Sequence, residues 1–118
     1  MNSSAIREKS MGYAVRIVRL YQYLSEEKKE YVMSKQLLRS GTSIGANIRE
    51  AQQGQSKNDF IAKMSISLKE AAETEYWLEL LYETEYLTRE QYDSVRADSG
   101  EVARLLTAIV KNARNNHP

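Results

Sequence analysis

Arg39-Ser-Gly-Thr-Ser-Ile-Gly-Ala-Asn-Ile-Arg-Glu-Ala51 is helical in its spacing and unhelical in its composition. Leu37, Gly41, Ile44, Ile48 and Ala51 recur three and four residues apart, which places them on one helix face. Yet the run holds two glycines, two serines, a threonine and an asparagine. Each Gly in a helix interior costs up to about 1 kcal/mol relative to Ala, so packing must offset that choice. Gly41 and Gly45 share a face, where a missing side chain lets another helix approach closely. The stretch therefore predicts a tightly packed helical bundle. It identifies no reaction.

Three further helices extend outward from it. The first is predicted from Ser4 to Leu24, with Met11, Ala14, Val18 and Tyr21 toward the core, flanked by Val15 and Ile17. Ser25 to Glu30 is a polar connection, and the second helix runs from Tyr31 to Gln53, stopped by Gly54. Ser56 is a good N-cap for the third helix, with Asp59 three residues on. The seam of that helix reads Ile61, Met64, Leu68, Ala71, Glu75, Leu78 and Tyr82. Thr88-Arg-Glu-Gln91 is a capping box that opens the fourth helix, with seam Tyr92, Val95, Ser99, Val102, Leu106, Ile109 and Ala113. Seams averaging about 3.5 residues specify near-parallel packing at about 20°. Short connections then give an all-α, up-down-up-down, left-handed four-helix bundle, with residues 1–118 as a single domain.

Composition narrows the function. The 118 residues contain no cysteine, which excludes disulfides, zinc-thiolate sites and cysteine nucleophiles. The one proline is Pro118, so nothing interrupts the helices. Apolar runs are far too short for a membrane span, and the N-terminus has no apolar signal core, so a cytoplasmic location is expected. Net charge is +1 but segregated: residues 1–68 hold eleven Lys/Arg against six Asp/Glu (+5), residues 69–101 three against ten (−7), and residues 102–118 three against none (+3).

The chemistries that bundles commonly host do not fit. A di-iron site needs inward Glu-x-x-His pairs, and the only histidine is His117, beside the C-terminus. The same shortage removes a His-activated serine, and Gly41-Thr-Ser-Ile-Gly45 lacks both the spacing and the lysine of a phosphate-binding loop. No catalytic, metal or cofactor residue is assigned, no small-molecule substrate is expected, and the chain reads as a non-enzyme.

Two features point to interaction instead. In Tyr76-Trp-Leu-Glu-Leu-Leu-Tyr-Glu-Thr-Glu-Tyr86 seven of eleven residues are aromatic or Leu, more than one core stripe needs. Tyr76, Trp77 and Leu80 are thus candidates for an oligomer interface, unless Trp77 lies across the neighbouring helix within the protomer. Glu75 occupies a core slot and demands a partner, with Arg39, Asn47, Arg49 or Ser99 in reach. Asn47 and Glu75 are expected to form a polar core layer, either a register-fixing layer or the floor of a polar pocket.

Up-down topology also sorts charge to the poles. Arg7, Lys9, Arg49, Lys57, Lys63, Lys111 and Arg114 gather at one end, against Glu8, Glu50 and Asp59. Glu26, Glu27, Glu30, Glu79, Glu83, Glu85, Glu90 and Asp93 gather at the other. A basic pole repeated in an oligomer is a candidate phosphate-backbone surface, whereas helix-dipole complementarity alone would account for Lys111 and Arg114.

The run Leu37-Leu-Arg-Ser-Gly-Thr-Ser-Ile-Gly-Ala-Asn-Ile-Arg-Glu-Ala51, followed by Ser56-Lys-Asn-Asp-Phe-Ile61 and Glu73-x-Glu75, resembles small bacterial four-helix proteins encoded in intervening sequences of 23S ribosomal RNA genes. It is similar as well to the accessory variability determinant proteins of diversity-generating retroelements. The resemblance spans nearly the whole chain. It implies a cytoplasmic four-helix protomer, assembly into a homo-pentamer, association with RNA or a reverse transcriptase, and no catalytic residues. The function expected is a self-associating bundle bound to RNA or a ribonucleoprotein through the basic pole; the alternative is a protein-protein adaptor without nucleic-acid contact.

Overall fold

Three of the four helices begin where a side chain satisfies backbone N–H groups left over at the N-terminus. The computed structural model describes residues 3–115, as α1 (Ser3–Glu26), α2 (Met33–Gln52), α3 (Lys57–Glu83) and α4 (Arg89–Asn115). Both predicted caps form. Extended Ser56 accepts the Asp59 N–H at 3.1 Å, while Thr88 N–H donates to Gln91 Oε1 (2.8 Å) and Gln91 N–H donates to Thr88 Oγ1 (3.1 Å). The cap of α2 differs from expectation. Glu30, read from the sequence as a pole surface charge, is only 7% exposed and bends its carboxylate back over the helix start. It accepts N–H groups from Val32 (3.1 Å), Met33 (2.9 Å) and Ser34 (2.7 Å), and the Ser34 hydroxyl donates to the Glu30 carbonyl at 2.7 Å. Burial alone would push this carboxyl up, but the donated hydrogen bonds outweigh it and hold it below its ordinary value.

Neighbours in sequence are neighbours in space, and α4 closes back on α1. The cross-links run in opposite senses along each pair: Lys9–Glu101 and Arg16–Asp98 join α1 to α4, and Lys63–Glu50 and Arg39–Glu70 join α3 to α2. This is an all-α, up-down-up-down four-helix bundle, 51 Å long and about 20 Å across. No helix among the described residues is long and apolar enough to cross a membrane.

The tightest joint is the glycine of the opening motif. A Cβ built on Gly41 would lie 2.7 Å from Ile17 Cγ2 and 2.9 Å from Cγ1, so α1 and α2 meet at a distance only glycine allows. Gly45 is less constrained, with its nearest contact, Ser10 Oγ, at 3.6 Å.

Seating Ile17 over Gly41 fixes the rotation of α1. Its buried face is Ile6, Ser10, Tyr13, Ile17 and Leu24, not the expected line through Met11, Ala14, Val18 and Tyr21. Met11 is 48% and Val15 50% exposed.

Helix α3 keeps Met64, Ala71 and Leu78 of its expected seam, but its other buried positions lie one residue earlier than expected. Met64, Ser67, Ala71, Thr74, Leu78 and Leu81 are buried, while Ile61, Leu68, Glu75 and Tyr82 are only partly so. Small hydroxyl residues make this possible, because they lose little on burial when bonded. Ser67 donates to the Ile44 carbonyl (2.8 Å), and Thr74 bonds Ser40 Oγ (2.9 Å) and donates to the Glu70 carbonyl (2.7 Å). Tyr13 bonds Ser99 of α4 through the core, and burial pushes its phenol well above the ordinary tyrosine range. Among the described residues no buried side-chain nitrogen or oxygen lacks a partner.

Candidate nucleic-acid interface

The basic pole is built from four helix ends: the start of α1, the end of α2, the start of α3 and the end of α4. The seven expected cations do meet at that end, but not as equals. Lys9 lies 2.5 Å from Glu101 and Lys63 2.8 Å from Glu50. The Glu101 hydrogen bond and charge hold the Lys9 ammonium above its ordinary pKa, so it stays charged and locally neutralised. Lys57 opens α3. Arg114 reaches only the Ser65 hydroxyl, at 3.5 Å. Arg7, Arg49 and Lys111 form no ion pair among the described residues.

Arg7 and Arg49 flank one groove between α1 and α2, about 240 Å³ in volume, whose floor includes Met11, Ala14, Gly45 and Ala46. The pole therefore presents open guanidinium groups beside an apolar trough.

The proposed interface aromatics divide. Tyr76 is 56% exposed and stands edge-on to Trp77, with ring centroids 5.0 Å apart at 72°. Trp77 lies partly buried against the core, and its indole N–H donates to Glu73 at 2.9 Å; Glu73 also pairs with Arg39 of α2. Leu80 is partly exposed.

The polar layer of Asn47 and Glu75 does not form. Asn47 donates to its own helix, at the Ser43 carbonyl (2.8 Å). Glu75 is a third exposed, and its nearest cation is Arg96, at 3.9 Å. Arg39 is already engaged by Glu70 and Glu73, and Ser99 by Tyr13. Thr74 takes the slot expected for Glu75, and Ser10, Ser34, Ser40, Ser67, Thr74 and Ser99, with the capping Glu30, supply the buried polarity. Regular heptad spacing placed Ser99 in its seam but hid the other hydroxyls, because a Ser or Thr beside a Leu or Glu carries no periodic signal of its own. His117 lies outside the described residues.

The sequence model of the 23S rRNA-intervening sequence protein family matches residues 2–108. The chain belongs to that family. Among solved structures, this family member matches a protein with unknown function from the S23 ribosomal protein family of Bacteroides thetaiotaomicron VPI-5482. The two are 63% identical and superpose with a TM-score of 0.93, over 94% of this chain and 99% of the other. A search of curated proteins finds no match. Neither finding points to an enzyme.

Proposed function

We propose that this 23S rRNA-intervening sequence protein is a non-enzymatic, self-associating bundle that associates with RNA or a ribonucleoprotein through its basic pole. The observation that carries the reading is the set of open cations there. Arg7, Arg49 and Lys111 lack acidic partners among the described residues, while nearby Lys9 and Lys63 are paired. A few cations per protomer make a weak polyanion site. Repeated around an oligomer, they make a strong one.

Two apolar surfaces support assembly. Met11 and Val15 are exposed on α1, and Ile66 and Tyr76 on α3. These helices are diagonal in the bundle, with no close approach of their backbones. Patches on opposite corners favour head-to-tail contacts that close a ring, in keeping with a pentamer, over a two-fold dimer. The trough between Arg7 and Arg49 favours a second reading, an adaptor that docks a protein helix without touching RNA.

Light scattering and RNA binding at several salt concentrations separate the readings. Replacing Arg7, Arg49 and Lys111 with Glu is expected to abolish RNA binding and leave the oligomer size unchanged. A monomer at micromolar concentration refutes assembly. An oligomer with no salt-sensitive RNA affinity refutes the RNA reading and leaves the adaptor.

A further inference from the structure

The outward face of α4 carries a charge pattern that helix ends do not explain. Residues 89, 93, 96, 100, 104, 107, 111 and 114 recur three and four apart, on the flank of α4 toward α3 and away from the buried line Val95, Ser99, Val102, Leu106, Ile109 and Val110. Arg96, Arg104, Lys111 and Arg114 occupy that face, all exposed. Along the stretch from Arg96 to Arg114 the acids of α4 are turned elsewhere, and Asp93, at the start of the face, is already paired. Asp98 pairs with Arg16 (2.7 Å) and Glu101 with Lys9 (2.5 Å), both across to α1, and Asp93 pairs back to Arg89 (3.1 Å). Beyond Glu101 the helix has no acid at all. Arg104 and Lys111 form no ion pair among the described residues, and Arg96 has the distant Glu75 (3.9 Å) and the Tyr92 ring beneath its guanidinium (5.9 Å to the centroid).

Gly100 lies midway between Arg96 and Arg104, at the floor of a groove of about 400 Å³ that these residues share with Glu75 and Ala97. Packing does not require this glycine. The only atom near a built Cβ is the flexible tip of Arg104, at 3.2 Å. Glycine disfavours the interior of a 27-residue helix, and its remaining use is to let a ligand come close to the backbone.

We propose that the outward face of α4, from Arg96 through the Gly100 notch to Arg114, is a track for the phosphate backbone of a nucleic acid. The proposal rests on the RNA reading above and names its surface. At 1.5 Å per residue the row is about 27 Å long, with cations roughly 12, 10 and 5 Å apart, a shape suited to an extended polyanion rather than one phosphate. Between the cations the face offers Ala97, Gly100, Thr107 and Ala108, with no large apolar side chain to anchor a protein. Phosphate contacts need no such anchor. Glu75 is the one carboxylate in the groove, so it opposes the ligand while holding Arg96 alongside.

The test is anisotropy of labelled oligouridine with the full chain, titrated across salt. Three to four phosphate contacts to a single strand give a log–log slope of about −2 to −3, a loss of about 20- to 50-fold between about 50 and 200 mM salt. Arg104→Gln is expected to weaken binding and flatten the slope by about 0.7. Gly100→Leu is expected to weaken binding without any change of charge, and Glu75→Gln to strengthen it. All three should keep the helical circular dichroism and oligomer size of the parent. If Arg104→Gln and Gly100→Leu bind as the parent does while Arg7→Glu with Arg49→Glu abolishes binding, the track is wrong and the RNA reading stands. A parent with no salt-dependent RNA affinity overturns both. An oligoglutamate of equal charge that binds as tightly as RNA overturns the nucleic-acid assignment.

Discussion

Gly41 and Gly45 look alike in the sequence, yet alanine at each is expected to act with opposite sign. In a helix interior Gly→Ala gains up to about 1 kcal/mol from propensity wherever the new methyl fits. At Gly45 it fits: the nearest atom to the added Cβ is Ser10 Oγ at 3.6 Å, an ordinary contact. Gly45→Ala should therefore raise stability. At Gly41 the Cβ would lie 2.7 Å from Ile17 Cγ2, 2.9 Å from Cγ1 and 3.2 Å from Cβ. Ile17 is fully buried, with no room to withdraw. Overpacking of this kind costs about 1–3 kcal/mol, which outweighs the propensity gain and leaves Gly41→Ala destabilising by up to about 2 kcal/mol. Gly41→Leu should be worse. Thermal unfolding followed by circular dichroism measures the difference, several degrees in Tm and of opposite sign at the two positions. The double variant isolates the cause. Ile17→Ala removes the two nearest clashing atoms and alone leaves a cavity costing about 2–5 kcal/mol. Combined with Gly41→Ala, part of that cavity is refilled, so the double variant should be more stable than the sum of the singles by about 0.5–3 kcal/mol. Equal stabilisation by alanine at both glycines, or strict additivity with Ile17→Ala, would refute the close-approach argument.

Glu30→Gln should destabilise by about 1–2 kcal/mol at neutral pH, since a neutral amide replaces the carboxylate that caps three N–H groups. Because the folded carboxyl titrates below its ordinary value of 4.5, its contribution is complete above that pH and is lost as pH falls through the folded value; the gap between parent and variant in urea titrations should close in acid. Glu85 holds a left-handed backbone at φ 70° where α3 turns toward α4, with Tyr86 N–H bonded to the Leu81 carbonyl, so Glu85→Gly should raise Tm by an amount corresponding to about 1 kcal/mol. Glu101→Gln should change stability by less than about 1 kcal/mol, as expected of an exposed pair, while freeing Lys9 and steepening the salt dependence of RNA binding.

The sequence revealed what periodicity can encode and missed what contacts decide. Four helices, the caps at Ser56 and Thr88, and the antiparallel order all followed from spacing and local hydrogen bonding, and all are present. The faces of α1 and α3 did not follow. Helix α1 is apolar over too wide an arc: Met11, Val15 and Val18 offer as good a stripe as Ile6, Tyr13 and Ile17. Only the fit of Ile17 into Gly41 breaks that tie. In α3 the buried line includes Ser67 and Thr74, which a hydrophobic pattern skips over although each finds a partner on α2. Misplacing that line by one residue is what moved Glu75 into the core on paper. Glu30 was misread for a related reason, because nothing in Glu-Glu-Lys-Lys-Glu distinguishes the one carboxylate that turns inward.

Charge was the least legible property, because a near-zero net charge is a sum over pairs the sequence does not specify. The ion pairs on this surface contribute little stability individually, as is usual for exposed pairs. Their consequence is a sorting of sign. Asp98 and Glu101 face α1, Glu70 and Glu73 converge on Arg39, and Glu50 takes Lys63, so acids from α2, α3 and α4 are spent at the seams between helices. Cations without an ion pair among the described residues, Arg7, Arg49, Arg104 and Lys111 included, then lie on the open surface of a molecule whose formal charge is only +1. A polyanion responds to that local excess and not to the total, since its affinity depends on how many phosphates find a cation. Net charge is therefore the wrong quantity by which to judge whether this bundle can hold RNA. The relevant quantity is the number of cations per protomer that the helix seams leave unneutralised, multiplied by the number of protomers that present them together.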